Sequence, residues 1–281
     1  MESGTSLVTV HKEWNKDITF LEGMHPSGGR MNADAELSAF ENAQQQGLAL
    51  LQHTLDQIVV GQSERDIYNY IREVAPDFGF SNWLRPPVVH IDYGSEQRFF
   101  ASPFRKLRRG SVVQLHLQPT TDCAFANVGI TVCFGMPAPP IVEQARELCI
   151  ATCTFANHFK CTGELFVFAH SWCTNNRTVL NNERHIGYKA SRIGHNTPLE
   201  NALSPLWPLD ARAAILLRRN QLQWYNPRPL IGIYAVQPEI KQDQRRAGFA
   251  ELILITAEER RILGRASLAE LCQLPPPNEP S

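Results

Sequence analysis

The chain lacks any long hydrophobic run. Nothing in its 281 residues approaches the roughly 20 consecutive apolar positions that span a bilayer. The opening Met-Glu-Ser-Gly-Thr-Ser has neither the basic nor the apolar region of a secretion signal, so a cytoplasmic protein with no membrane partner is expected. An excess of charge of one sign is missing too. Lys and Arg number 27 against 28 Asp and Glu, a net charge of −1, so no global field gathers nucleic acid. The seven cysteines include no Cys-x-x-Cys pair, which argues against a zinc ribbon, and their odd number argues against a closed disulfide framework. Cys149 and Cys153, at i and i+4 of an expected helix, read as buried thiols. Internal repeats are also lacking.

With 43% hydrophobic residues the chain can bury a full core, as one large domain or one domain with a lid. Residues 1–33 show little periodicity and read as an N-terminal arm. From Asp34 to Ile58, Leu37, Phe40, Leu48, Leu51 and Leu55 recur at helical spacing. Ser63 followed by Asp66 has the pattern of a capping box opening a second helix with Ile67, Tyr70, Ile71 and Val74 on its apolar stripe. Gly79 and Pro86-Pro87 lead into an extended segment at Pro87–Ile91. A basic turn at Arg105-Lys106 and Arg108-Arg109, read as a solvated loop, precedes two strands joined as a hairpin over Leu107–Thr131. A third helix is expected from Ile141 to Phe159.

Residues Glu164 to Asn201 are polar and weakly periodic, the pattern of a functional or mobile stretch. Helices are expected at 209–222 and 266–274, and strands at Leu230–Val236 and Phe249–Thr256. This order predicts an α+β domain over 34–265, with helices packed on a curved antiparallel sheet and a tail at 266–281.

Several short motifs resemble, in order, those of the pita-bread metallopeptidases, the superfamily of methionine aminopeptidase, prolidase and creatinase. Gly61–Asp66 is similar to its Gly-x-Thr-Glu-x-Glu turn, and Pro86–Val89 to its Pro-Pro-Ile-Val strand. Leu107–Thr131 resembles the hairpin Leu-x-Pro-Gly-Asp-x-Val-x-x-Asp-x-Gly followed by Cys-Ala-Asp-Ile-Thr-Arg-Thr. Val132–Gly135 is similar to Phe-x-Val-Gly, Gly194–Glu200 to Gly-His-Gly-x-Gly-Leu-Glu, Tyr234–Pro238 to Phe-Thr-Ile-Glu-Pro, and Ala250–Thr256 to Glu-Asp-Thr-Val-Leu-Val-Thr. The resemblance implies the pita-bread fold over about residues 36–264 and a homodimer.

It also implies that the five metal-ligand positions of the family fall at His116, Asn127, His195, Gln237 and Ala250, where only His195 keeps the family's residue type. Exchanging four carboxylates for neutral groups removes about four charges that a pair of hard divalent cations needs. No metal ligands and no cofactor are therefore expected, and metal-activated hydroxide is lost with them.

Strand parity puts Val112, Gln114 and His116 on one face and Val113, Leu115 and Leu117 on the other. It also turns Glu251 away from Ala250, unless a bulge brings its carboxylate back. His195 and His116 are the candidate acid–base groups, since imidazole titrates near neutrality. Creatinase, a metal-free relative, is the family precedent for a pocket histidine moving protons. Asn127, Gln237, Arg85, His90 and Glu239 are the candidate substrate-binding residues, and Arg98, Arg184 and Arg192 are further rim candidates. Trp207, Trp224 and Tyr225 are assigned to a dimer contact or to the core.

Three functions follow. The first is metal-independent acid–base chemistry (C–N hydrolysis, elimination or cyclisation) on a small amino-acid- or amide-like metabolite. The second is a mononuclear metallohydrolase using His116, His195 and Glu239 or Glu251. The third is a non-catalytic descendant that holds a peptide or protein partner in the old cleft.

Overall fold

The structure is a computed structural model that describes residues 33–92, 101–181, 186–190, 221–227, 230–256 and 260–264. Helix α1 (Ala33–Gln57) is followed by α2 (Glu64–Val74) and strand β1 (Asn82–Ile91). Strands β2 (Val112–Thr120) and β3 (Val128–Cys133) form the hairpin, and helices α3 (Pro140–Phe155) and α4 (Thr162–Asn175) come next. The remaining strands are β4 (Val179–Leu180), β5 (Gly187–Lys189), β6 (Gly232–Val236), β7 (Glu239–Gln242), β8 (Arg245–Gly248), β9 (Glu251–Ile255) and β10 (Arg260–Ile262). They make three antiparallel sheets, ordered β1-β2-β3, β10-β9-β6-β5 and β4-β7-β8.

The α+β pattern expected from the sequence is present, with helices against curved antiparallel strands. Helix α2 opens on the expected capping box: Asp66 N donates to Ser63 Oγ at 3.2 Å and Ser63 N to Asp66 Oδ2 at 2.8 Å. These bonds hold the Asp66 carboxyl below its ordinary pKa. Just inside the helix, Glu64 is fully buried. Its carboxylate accepts from Ile91 N at 2.9 Å and Ser102 N at 2.8 Å and pairs with Arg105 at 3.4 Å. Residues of a helix, a strand end and a loop are thereby tied to one carboxylate.

Strand β1 begins five residues before the expected extended segment. Its proline pair is accommodated because the β1–β2 register shifts between Arg85 and Val88, where missing N–H groups interrupt the ladder least. Helix α3 ends at Phe155, and a short 3-10 turn, Ala156–His158, takes the place of its last residues. The larger departure is α4, most of which falls in the stretch read as polar and weakly periodic. Leu165, Phe166, Ala169 and Cys173 supply a buried stripe at helical spacing, and flanking polar residues masked it. The β7–β8 hairpin was likewise not anticipated: its strands are four residues each, too short for periodicity to register. The expected helices at 209–222 and 266–274 lie outside the described residues, apart from Gln221, which bridges Tyr188, and Leu222. Among the described residues no helix is long and apolar enough to cross a membrane.

Two sheets meet behind the hairpin. Gly129 and Ala250 exchange backbone bonds of 3.2 and 3.0 Å, and Thr131 Oγ1 donates to Gly248 O at 2.9 Å while accepting from Gly248 N at 3.0 Å. The approach needs glycine at 129, because a Cβ there would lie 2.8 Å from that of Ala250. Helix α1 covers the other side. Gly47 sits where a Cβ would be 2.4 Å from Ala126 Cβ, and Phe40 meets Phe125 edge to face at 5.5 Å.

Candidate functional site

Strand β2 carries the site. Val113, Leu115 and Leu117 are fully buried on one side, and Gln114, His116 and Gln118 project from the other, as alternation dictates. Asn127 precedes β3, whose Gly129 is the register partner of His116. His116 Nε2 lies 2.9 Å from Asn127 Oδ1, and Gln118 Nε2 lies 2.8 Å from the same oxygen.

The orientation of these groups follows from what each can donate. The carbonyl of Glu251 only accepts, so the Asn127 atom 3.0 Å from it is Nδ2, and Oδ1 faces His116 and Gln118. An amide oxygen cannot donate, so His116 Nε2 carries the proton and the lone pair of a neutral ring falls on Nδ1. The Asn127 backbone is held as firmly. Its N–H donates to Gln44 Oε1 at 2.9 Å, and Gln44 Nε2 returns a bond of 3.1 Å to its carbonyl. Each such bond is worth about 1 kcal/mol net, and leaving any of these buried groups unpaired costs about 1–3 kcal/mol.

Gln118 extends the network. Its Nε2 is 2.5 Å from the Tyr188 hydroxyl and 3.3 Å from Gln237 Oε1. Burial pushes the Tyr188 pKa up to about 12, so the phenol stays protonated. Arg85 lies over the Tyr188 ring at 5.8 Å from its centroid. Gln118 Oε1 is buried with no hydrogen-bond partner among the described residues, an acceptor available for an N–H or O–H.

Along the same face in the other direction, His90 is the register partner of Gln114. Gln114 Nε2 reaches Glu239 Oε2 at 3.4 Å, and Asn181 Nδ2 binds the other Glu239 oxygen. Thus His116, Asn127, Gln237 and Arg85 converge around Gln118 and Tyr188, with His90 and Glu239 farther along the strip. His195 lies outside the described residues, as do Arg98, Arg184, Arg192 and Trp207. Trp224 and Tyr225 are 66% and 57% exposed, which removes them from the core.

Sequence reasoning missed Gln118, Tyr188 and Gln44. Parity alone would have found Gln118, two residues beyond His116 on one strand. Tyr188 and Gln44 come from separate elements and carry no sequence signal.

The described residues at the positions that resemble the family's ligands do not fit a divalent cation by themselves. Asn127 Oδ1 already receives two hydrogen bonds, and Ala250 has no donor. Glu251 is turned behind Asn127, as parity required, with Oε2 3.4 Å from Gln44 Nε2. Glu239 is engaged by two side-chain amides. Among the described residues no group of three or more His, Cys, Asp or Glu side chains converges on a metal position.

No family model and no curated protein matches the sequence. Solved structures do. Prolidase from Pyrococcus furiosus superposes with a TM-score of 0.67 at 14% identity, over 95% of this chain and 75% of that one. X-Pro aminopeptidase from Thermotoga maritima gives 0.63 at 15%, over 87% of this chain, which spans only 63% of that enzyme. Methionine aminopeptidase from Thermotoga maritima gives 0.61 at 15%, over 83% of this chain and 98% of that one. The order of elements, the paired sheets and these superpositions together show that the chain has the fold of these peptidases, the pita-bread fold.

Proposed function

We propose that the protein is a divergent, non-peptidase enzyme of this fold that carries out metal-independent acid–base chemistry on a small amino-acid- or amide-like metabolite. One observation carries the reading. The Glu251 carbonyl orients the Asn127 amide, and the Asn127 oxygen accepts from His116 Nε2, so in the neutral ring the lone pair falls on Nδ1. An oriented histidine is what proton abstraction requires, and the neutral amide that orients it needs no counter-ion.

In this reading His116 takes a proton through Nδ1, and His195 is the second acid–base group. Gln118 Oε1 accepts an N–H of the substrate. The half-buried Gln237 amide and Arg85 complete binding, and His90 and Glu239 line the approach. Hydrolysis, elimination and cyclisation at a C–N bond all begin with such a transfer.

The test is turnover of a library of small amides and amino-acid derivatives in the presence of a chelator. Activity that persists without divalent ions and falls at least about a hundredfold in His116→Ala agrees with general acid–base catalysis. Activity that disappears with chelator and returns with zinc or manganese defeats the proposal.

A further inference from the structure

The bonding around Asn127 has a direction, and followed outward it leaves three groups open. Asn127 Oδ1 only accepts, so the Gln118 atom 2.8 Å from it is Nε2. That nitrogen gives its second proton to the Tyr188 hydroxyl at 2.5 Å, with Gln237 Oε1 a weaker partner at 3.3 Å. The Tyr188 oxygen is therefore an acceptor within the network, and its own proton points elsewhere, to no acceptor among the described residues. Gln118 Oε1 is buried without a donor. With Gln237 Oε1 turned to Gln118, the Gln237 N–H groups are also left without an acceptor among the described residues.

The backbone keeps these groups together. Strands β5 and β6 pair Gly187 with Val236, and Gln237 N donates to Ile186 O at 2.8 Å, so Tyr188 and Gln237 stand at one end of that pair. Gln118 and Tyr188 are 2% and 3% exposed, whereas Gln237 is half-buried. The group thus opens past Gln237 and suits the end of a small molecule better than the middle of a peptide.

Two donors and one acceptor, all uncharged, are what a primary carboxamide completes. Its carbonyl oxygen has two lone pairs, for Tyr188 O–H and Gln237 N–H, and its own N–H answers Gln118 Oε1. A carboxylate has no proton for Gln118 Oε1 and would set oxygen against oxygen, and a tertiary amide lacks the N–H as well. Arg85 over the Tyr188 ring is the countervailing charge. Burial nonetheless outweighs Arg85 at the phenol, and it penalises any other anion there in the same way.

We propose that Gln118, Tyr188 and Gln237 recognise the terminal carboxamide of the substrate, an unsubstituted CONH2 group, and exclude the corresponding carboxylate. This narrows the substrate class of the acid–base reading and rests on that reading for placing the substrate beside His116.

The experiment is NMR titration of the 15N-labelled full chain with N-acetylglycinamide, N-acetylglycine and N-acetylglycine N,N-dimethylamide. These probes share one skeleton and differ only at the terminal group. Saturable shifts of the Gln118 and Gln237 side-chain amide resonances are expected with the primary amide. The carboxylate and the dimethylamide should bind at least about tenfold more weakly, because each leaves Gln118 Oε1 unpaired. Tyr188→Phe removes one donor and should weaken the primary amide about fivefold. Gln237→Met, at a half-buried position, should do likewise and decides the matter if Tyr188→Phe melts early. No saturable shift with the primary amide, equal binding of the carboxylate, or affinity unchanged in the folded variants overturns the proposal. The first of these is the result expected if water alone fills the three positions. Amide binding without turnover counts against the acid–base reading and leaves this recognition standing. Turnover indifferent to the carboxamide does the reverse.

Discussion

An amide at position 127 does two things that a carboxylate cannot do at once: it donates to the Glu251 carbonyl and accepts from His116 and Gln118. Asn127→Asp is therefore expected to act in two directions. The new charge 2.9 Å from the imidazole should raise the His116 pKa, read by NMR titration of the ring. The lost donor sets an oxygen against the Glu251 carbonyl and should cost about 1–3 kcal/mol in urea unfolding. Tyr188 gives a pH-dependent counterpart. Its folded pKa, raised by burial to about 12, exceeds the 10.0 ordinary for a tyrosine, so the unfolded chain releases the phenolic proton first. Its contribution to stability is full below about pH 10 and is lost as pH rises toward 12. The Tyr188 share of the phenolate absorbance, read as the difference between the parent and Tyr188→Phe, should appear together with alkaline unfolding rather than before it, and Tyr188→Phe should remove that part of the alkaline loss.

Local chemistry at element ends explains what the chain revealed before any coordinates. The capping box at Ser63 and Asp66 was legible because its spacing is set by one helical turn. Ser63→Ala should cost about 1 kcal/mol by thermal or urea melting. The Asp66 half of the box, whose carboxyl pKa is lowered, holds above the unfolded carboxyl range and is lost as pH falls through the lower folded value. Glu64, one residue into the helix, was legible only as a motif letter. Its role as anchor for Ile91 and Ser102 depends on tertiary burial that no local pattern encodes. Glu64→Ala leaves those two amides without their acceptor and should accelerate hydrogen exchange at both, with a loss of about 3 kcal/mol. Helix α4 shows the opposite limit: Leu165, Phe166, Ala169 and Cys173 form its apolar stripe, yet the polar residues around them hid it.

Across the whole molecule the decisive contact is the seam where β3 meets the start of β9. Gly129→Val would drive a branched side chain into Ala250 and His116, whose Cδ2 is already 3.2 Å from where a Cβ would sit. A loss of about 1–3 kcal/mol by denaturant unfolding and a shift of the His116 ring resonances are expected. The fold was readable because its motifs keep their order along the chain, and the polar face of β2 because strand parity is local. The company His116 keeps was only half readable. Gln118, Tyr188 and Gln44 reach it from β2, β5 and α1, and only their convergence in space makes them one group.

The bonding around Asn127 also bears on what an introduced cation would need. A carboxylate at 127 would set an oxygen against the Glu251 carbonyl, and an Ala250→Glu change would have to find room beside Gly129. Neither change alone supplies the several oxygens that a hard divalent ion takes. Building such a site into this seam therefore calls for paired exchanges, with Gly129 setting how much bulk the second can bring.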